Sequence, residues 1–222
     1  MPVILNIETS ASQCSVSISN DSITYFQSEM PMAHAEVLAN LIQQCIEQSG
    51  VSLQELDAVA VSDGPGSYTG LRIGISTAKG LCLAIDKPLI AINTLQIIAQ
   101  AAKEQSSFSY YWPMIDARRM EVYHCIFNAQ LEEQFPMNNA ILDQNEFFKQ
   151  YSHYSSIALC GDGAQKASTL TEIPIVEVLA NAKSMVPLSN LAFQNKQFVD
   201  LVSYEPNYLK QASITVAKKK TS

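Results

Sequence analysis

The sequence predicts an α/β protein of two lobes, each a mixed sheet flanked by helices, and three observations predict it. Three short extended runs near the amino terminus are separated by turn residues. From Ala33 to Lys103 helical and extended segments alternate, as parallel crossovers require. A polar joint, Ser106-Ser107-Phe108-Ser109, is then followed by a fresh set of strands. The 222 residues, 47% hydrophobic and 16% charged, suffice for one large domain or two small ones. The division is read as a lobe at 1–107, a smaller lobe at 108–222 and a loose basic tail at 217–222 carrying Lys218-Lys219-Lys220.

The elements follow in order. Val3 to Glu8 is an apolar run, Cys14 to Ser19 alternates Cys14, Val16 and Ile18 with serines, and Ser22 to Gln27 follows the turn Asn20-Asp21. Ala33 to Gln48 sets Leu38, Leu41, Ile42, Cys45 and Ile46 at helical spacing, and Gly50 closes that helix. Asp57 to Ser62 reads as a buried strand. The loop from Asp63 to Gly70 leads into a helix from Leu71 to about Ile85, stopped by Asp86-Lys87-Pro88. A strand over Pro88 to Ile92 and a helix over Leu95 to Lys103 complete the first lobe. This is the element order of ribonuclease-H-like and actin-like folds. Beyond the joint, strands are expected at Tyr111 to Asp116, Glu121 to Asn128 and Ser156 to Cys160. Helices are expected around Asn145 to Tyr151 and from Ser184 to Val202, the sequence leaving open whether the last one packs back on the first lobe or stays with the second.

Composition narrows the function. With 14 Lys+Arg against 21 Asp+Glu the formal charge is −7, which argues against a self-sufficient nucleic-acid binder. Five scattered cysteines form no C-x-x-C pair and read as buried small hydrophobes. The amino terminus lacks a basic segment and an apolar run of signal length, and nothing approaches the roughly 20 apolar residues of a membrane span. The cytoplasm is the expected address.

Chemistry is sought first at Gly64-Pro65-Gly66-Ser67-Tyr68-Thr69-Gly70-Leu71-Arg72, between a strand and a helix N-terminus. Backbone N–H groups there can hold an anion. The loop is not a Walker motif, and its other reading is a tight turn that lets the helix pack on the sheet. Glu8-Thr9-Ser10, at the end of the first strand, offers a carboxylate and two hydroxyls to a phosphate or metal. Asp116-Ala117-Arg118-Arg119 joins two strands of the second lobe and either faces a cleft or pairs with acidic neighbours. The candidate anion contacts are therefore Glu8, Thr9, Ser10, Gly64, Gly66, Ser67, Thr69, Gly70, Arg72, Asp116 and Arg118. His34, His124 and His153 stand at no metal-ligand spacing, so no metal site is expected, and no G-x-S-x-G elbow is present. The helix after the glycine loop is apolar nearly all round and carries small residues four apart, at Ser76, Gly80 and Ala84 and at Gly74, Ala78 and Cys82. Such a helix must be covered on every side, and a partner is one cover.

Ile4-Leu5-Asn6-Ile7-Glu8-Thr9-Ser10, the segment Gly64 to Gly74, Ile115-Asp116-Ala117-Arg118-Arg119, Gly161-Asp162-Gly163 and Glu205-Pro206-Asn207-Tyr208-Leu209 together resemble the TsaB (YeaZ) family of bacterial proteins. The resemblance covers nearly the whole chain. It implies the two-lobed actin-like fold and a supporting role in threonylcarbamoylation of N6 of adenosine 37 in tRNAs reading codons that begin with A. The related transferase TsaD carries an Asn-His-x-x-x-His metal motif, where this chain has Asn93-Thr94-Leu95-Gln96-Ile97-Ile98. The resemblance thus implies a non-catalytic subunit that binds no cofactor by itself, with ATP and a metal used by its partners. It implies pairing with TsaD through the two helices of the first lobe, joined by the ATPase TsaE, with tRNA met only through the complex and self-association when alone. Interface residues expected on that basis are Leu38, Leu41, Ile42, Cys45, Ser76, Lys79, Gly80, Leu83 and Ala84. Two other readings are a metal-dependent glycoprotease-like peptidase and a small-molecule kinase of the same fold.

Overall fold

The computed structural model describes residues 1–20, 23–29, 34–142 and 146–206. The predicted helix start at Ala33, the Asp21 turn residue, the side chain of His34, Asn145, the Asn207-Tyr208-Leu209 motif and the tail at 217–222 lie outside the described residues or side chains.

The first sheet contains β1 (Ile4–Glu8), β2 (Cys14–Asn20), β3 (Ile23–Glu29), β4 (Ala58–Ser62) and β5 (Leu89–Ile92) in the order β3-β2-β1-β4-β5. β1, β2 and β3 form an antiparallel meander, while β4 and β5 add in parallel through the crossover helices α1 (His34–Ser49) and α2 (Tyr68–Ile85). β1 and β4 are buried along their whole length, as strands covered on both faces must be. Asp86, in a left-handed conformation at φ +52°, ends α2 where the sequence predicts a stop. After β5, Asn93 caps α3 (Thr94–Gln105) by accepting from the backbone N–H of Leu95 at 2.8 Å.

The second sheet contains β6 (Tyr110–Asp116), β7 (Glu121–Asn128), β8 (Glu133–Ile141), β9 (Ile157–Cys160) and β10 (Ile175–Val176) in the order β10-β9-β6-β7-β8. Here too an antiparallel meander is followed by two parallel additions, so the second sheet repeats the topology of the first. This doubled unit is the actin-like fold. Helix α4 (Glu146–Lys149) is short, and β8 and β10 are strands that sequence periodicity does not reveal.

The final helix, α5, spans Ala182–Gln194 rather than Ser184 to Val202. Beyond it the chain turns through Lys196 at φ +54°, and Val199 bridges antiparallel to Leu89 on the edge of β5. Apolar residues after Gln194 thus belong to a strap over the first sheet. α5 itself packs on that sheet: Ser17 Oγ donates to the Ala182 carbonyl at 2.7 Å, and the Ala182 N–H donates to Ser15 Oγ at 2.9 Å. The largest core cluster runs from Ile4, Ala58 and Ile90 of the first sheet through α3 and α5 to Tyr111, Cys125 and Phe127 of the second. Strands therefore divide near residue 107, but the core does not.

Candidate partner-docking face

The Glu8-Thr9-Ser10 turn points into the protein. Glu8 is fully buried; its Oε1 accepts from the Ser10 N–H at 2.6 Å and from Ser10 Oγ at 2.5 Å. Burial pushes the Glu8 carboxyl up, and the hydrogen bonds from Ser10 pull it partly back. Thr9 Oγ1 donates to the Gly70 carbonyl at 2.8 Å, and the Ser67 N–H donates to the Ser10 carbonyl at 2.8 Å.

The glycines follow from this contact. A Cβ on Gly66 would lie 2.6 Å from the Ser10 carbonyl oxygen, one on Gly70 2.0 Å from that of Thr9, and one on Gly74 2.2 Å from Thr9 Oγ1. Gly64, at φ +107°, takes a backbone angle that side chains avoid, and its carbonyl accepts from the Thr94 N–H at 2.9 Å. The loop is therefore the tight turn of the two readings. Glu8, Thr9, Ser10, Gly66 and Gly70, expected as anion contacts, meet one another instead, because the close approach of α2 to β1 leaves no room between them. Ser67 caps α2 by accepting from the Gly70 N–H at 3.2 Å, Thr69 is exposed, and the Arg72 guanidinium lies over the Tyr68 ring at 4.1 Å.

The second expected anion group is likewise engaged. Asp116 pairs with Lys166 at 2.6 Å, and its backbone N–H donates to Asp162 Oδ1 at 3.1 Å. A Cβ on Gly163 would lie 2.8 Å from the Ile115 carbonyl carbon, so the Gly161-Asp162-Gly163 turn packs directly on β6. Arg118 stands exposed in the β6–β7 turn.

Residues at the positions matched to the transferase histidines do not suit a metal. Thr94 and Ile98 are both buried, and the Ile98 methyl groups lie 3.2 and 3.4 Å from where a Gly161 Cβ would be. No cluster of three potential ligating side chains occurs among the described residues. His124 is buried and its Nδ1 accepts from Trp112 Nε1 at 3.0 Å, while the His153 ring lies against Tyr154. No helix among the described residues is long and apolar enough to cross a membrane.

The expected interface residues separate into two sets. Leu38, Leu41, Ile42 and Cys45 are buried in the chain's own core under the first sheet, so their side chains are already covered. Periodicity identifies the buried face of α1, and the sheet buries it; Ala39, Asn40, Gln43, Gln44 and Glu47 face outward. On α2 the two rows of small residues have opposite fates. Gly74, Ala78 and Cys82 are buried, whereas Ser76, Gly80 and Ala84 are exposed beside Leu83, which is 68% exposed. A Cβ on Gly80 would meet nothing within 4 Å. Lys79 is half-buried and ties down the strap, its Nζ donating to the carbonyls of Val202 and Tyr204 at 3.4 and 3.1 Å. A groove of about 360 Å³ between α1 and α2, lined by Leu38, Ala39, Arg72, Ile73, Ser76 and Thr77, continues this face. A larger hollow of about 500 Å³, among Phe148, Tyr151, Tyr154, Leu170 and Ile173, lies apart from every residue singled out in the sequence. The strap escaped sequence reasoning because its apolar spacing imitates a continuation of α5.

Comparison with known proteins supplies a family. The tRNA threonylcarbamoyladenosine biosynthesis protein TsaB of Haemophilus influenzae is 29% identical over 228 aligned positions, covering 93% of this chain and 93% of that one. YeaZ from Pseudomonas aeruginosa shares the fold with a TM-score of 0.81 at 26% identity, over 94% of this chain and 100% of that one. The chain belongs to the TsaB (YeaZ) family. The Escherichia coli TsaB is 39% identical over 121 residues, an alignment spanning about half of each protein, 54% of this chain and 52% of that one. The family model described as TsaD, tRNA N6-adenosine threonylcarbamoyltransferase, matches residues 28–217, so TsaB proteins and the transferases are relatives.

Proposed function

We propose that this chain takes part in threonylcarbamoyladenosine formation on tRNA as a subunit without catalytic machinery of its own, docking on a TsaD-type transferase. The observation that carries the reading is the outward row of α2, where Ser76, Gly80 and Ala84 leave room for another helix and Leu83 supplies an apolar contact. Small residues permit close backbone approach, and an exposed apolar strip is stabilised by cover. Because this chain matches the transferase family model over most of its length, the transferase offers a face of the same construction. Two like faces pair about a pseudo-twofold axis, each helix pair meeting its counterpart. The same geometry allows self-association when the chain is alone.

The residues at the end of β1 and on α3, after β5, support the non-catalytic part of the reading. Glu8 Oε1, Thr9 Oγ1 and Ser10 Oγ make internal hydrogen bonds, and buried Thr94 and Ile98 stand where, by the resemblance, the transferase motif has histidines. In this reading ATP and metal are used by TsaD and by the ATPase TsaE, tRNA is met through the assembly, and the chain works in the cytoplasm. Reconstitution tests it. Unmodified tRNA incubated with TsaD, TsaE, the adenylate-forming enzyme and this chain yields threonylcarbamoyladenosine by mass spectrometry. Omitting this chain abolishes product, and the chain alone yields none. Undiminished product without it overturns the reading.

A further inference from the structure

The turn between β6 and β7 holds two arginines in a conformation that arginine disfavours. Arg118 has φ +72° and Arg119 φ +50°. In that region the Cβ of an L residue crowds the backbone, and hairpin turns needing such angles are ordinarily filled by Asn-Gly or Asp-Gly. The surroundings fix the turn. The Ala117 N–H donates to the Glu121 carbonyl at 3.0 Å, the Glu121 N–H to that of Arg118 at 3.0 Å, and the Leu142 N–H to that of Met120 at 2.7 Å. Arginine at both positions therefore works against the local backbone preference, and such outliers mark places where the side chain serves another purpose.

The acidic groups nearest in the chain are engaged elsewhere. Asp116 holds Lys166 and accepts from the Arg118 backbone N–H, and Glu121 Oε1 accepts from Asn139 Nδ2 at 2.8 Å. Both arginines are exposed, and neither forms a salt bridge among the described residues. Two adjacent exposed guanidinium groups on a hydrogen-bonded turn, in a chain of net charge −7, form a local basic point of the kind that binds phosphate. We infer that the β6–β7 turn is a phosphate-backbone contact for the tRNA bound by the assembly, an inference that rests on the function proposed above. It gives an acidic subunit a defined place against a polyanion without making it an RNA binder by itself.

The double variant Arg118→Asn/Arg119→Gly tests this, because it removes both charges while placing there the residues the turn prefers. The variant melts no lower than the parent. In the complex with TsaD and TsaE, it binds unmodified tRNA roughly ten- to thirtyfold more weakly near 0.1 M salt, and the slope of log K against log salt is shallower by roughly 1.5. Lys149→Gln, a charge removed on exposed α4, changes neither quantity by as much. An intact complex with unchanged affinity and slope overturns the inference and leaves the proposed function standing. Loss of assembly in light scattering also overturns it, since the arginines then serve an acidic protein surface. A parent chain that fails to assemble removes the reading beneath it and the inference together.

Discussion

Thr9 and Gly70 are locked across the junction of β1 and α2: the Thr9 hydroxyl donates to the Gly70 carbonyl at 2.8 Å, and a Cβ on Gly70 would lie 2.0 Å from the Thr9 carbonyl oxygen. Backbone meets backbone there, so neither side can yield cheaply. Gly70→Ala is expected to destabilise the chain by about 3 kcal/mol, at the upper end of overpacking costs. Gly80→Ala, on the same helix in open space, is expected to stabilise it by about 1 kcal/mol through helix propensity. Urea denaturation of the two variants checks the opposite signs.

Trp112 and His124 define a second prediction. The Trp112 Nε1–H donates to His124 Nδ1 at 3.0 Å, which requires a neutral ring, and burial pushes the His124 pKa down from 6.5 to about 4. Above pH 6.5 both folded and unfolded chains hold a neutral histidine. Between pH 6.5 and 4 only the unfolded chain takes up the proton, so stability falls with pH, by on the order of 3 kcal/mol in all. His124→Phe leaves the indole N–H unpaired and is expected to cost 1–3 kcal/mol, roughly, at pH 7. The gap to the parent should narrow at pH 4.5. Fluorescence of the one tryptophan reports both transitions.

Asp63 runs the other way. Burial pushes its pKa up from 3.8 to about 6, the Tyr204 hydroxyl donates to its Oδ2 at 3.2 Å, and its buried Oδ1 has no partner among the described residues. The charged form is thus a cost, fully present above pH 6 and relieved as pH falls to 3.8. Asp63→Asn is expected to stabilise the chain at pH 7 by on the order of 2 kcal/mol and to lose that advantage by pH 4. Thermal melts at the two pH values decide it.

The legibility of the sequence varied with what its periodicity records. The first sheet and its crossovers were readable because β1 and β4 are continuous apolar runs and α1 and α2 carry helical spacing. β8 was not, because it is an exposed edge strand with Pro136 and Asn138-Asn139, without the alternation that a buried face imposes. The doubled topology left no sequence repeat, since pairing order is carried by backbone hydrogen bonds. At the candidate face, Leu38, Leu41, Ile42 and Cys45 showed that one side of α1 is covered but not by what, and the sheet proved to be the cover. Gly66 and Gly70 could be phosphate cradle or packing surface, and only the position of Thr9 and Ser10 separates the two.

The most direct measurement of the central claim is the mass of the assembly formed with a TsaD-type transferase, by light scattering, for the parent and for Gly80→Leu. A leucine there enters open space in the isolated chain, so the variant should fold and melt at or above the parent temperature. The account predicts a stoichiometric complex for the parent and free subunits for the variant. A variant that assembles as well as the parent, or a parent that never assembles, would contradict it.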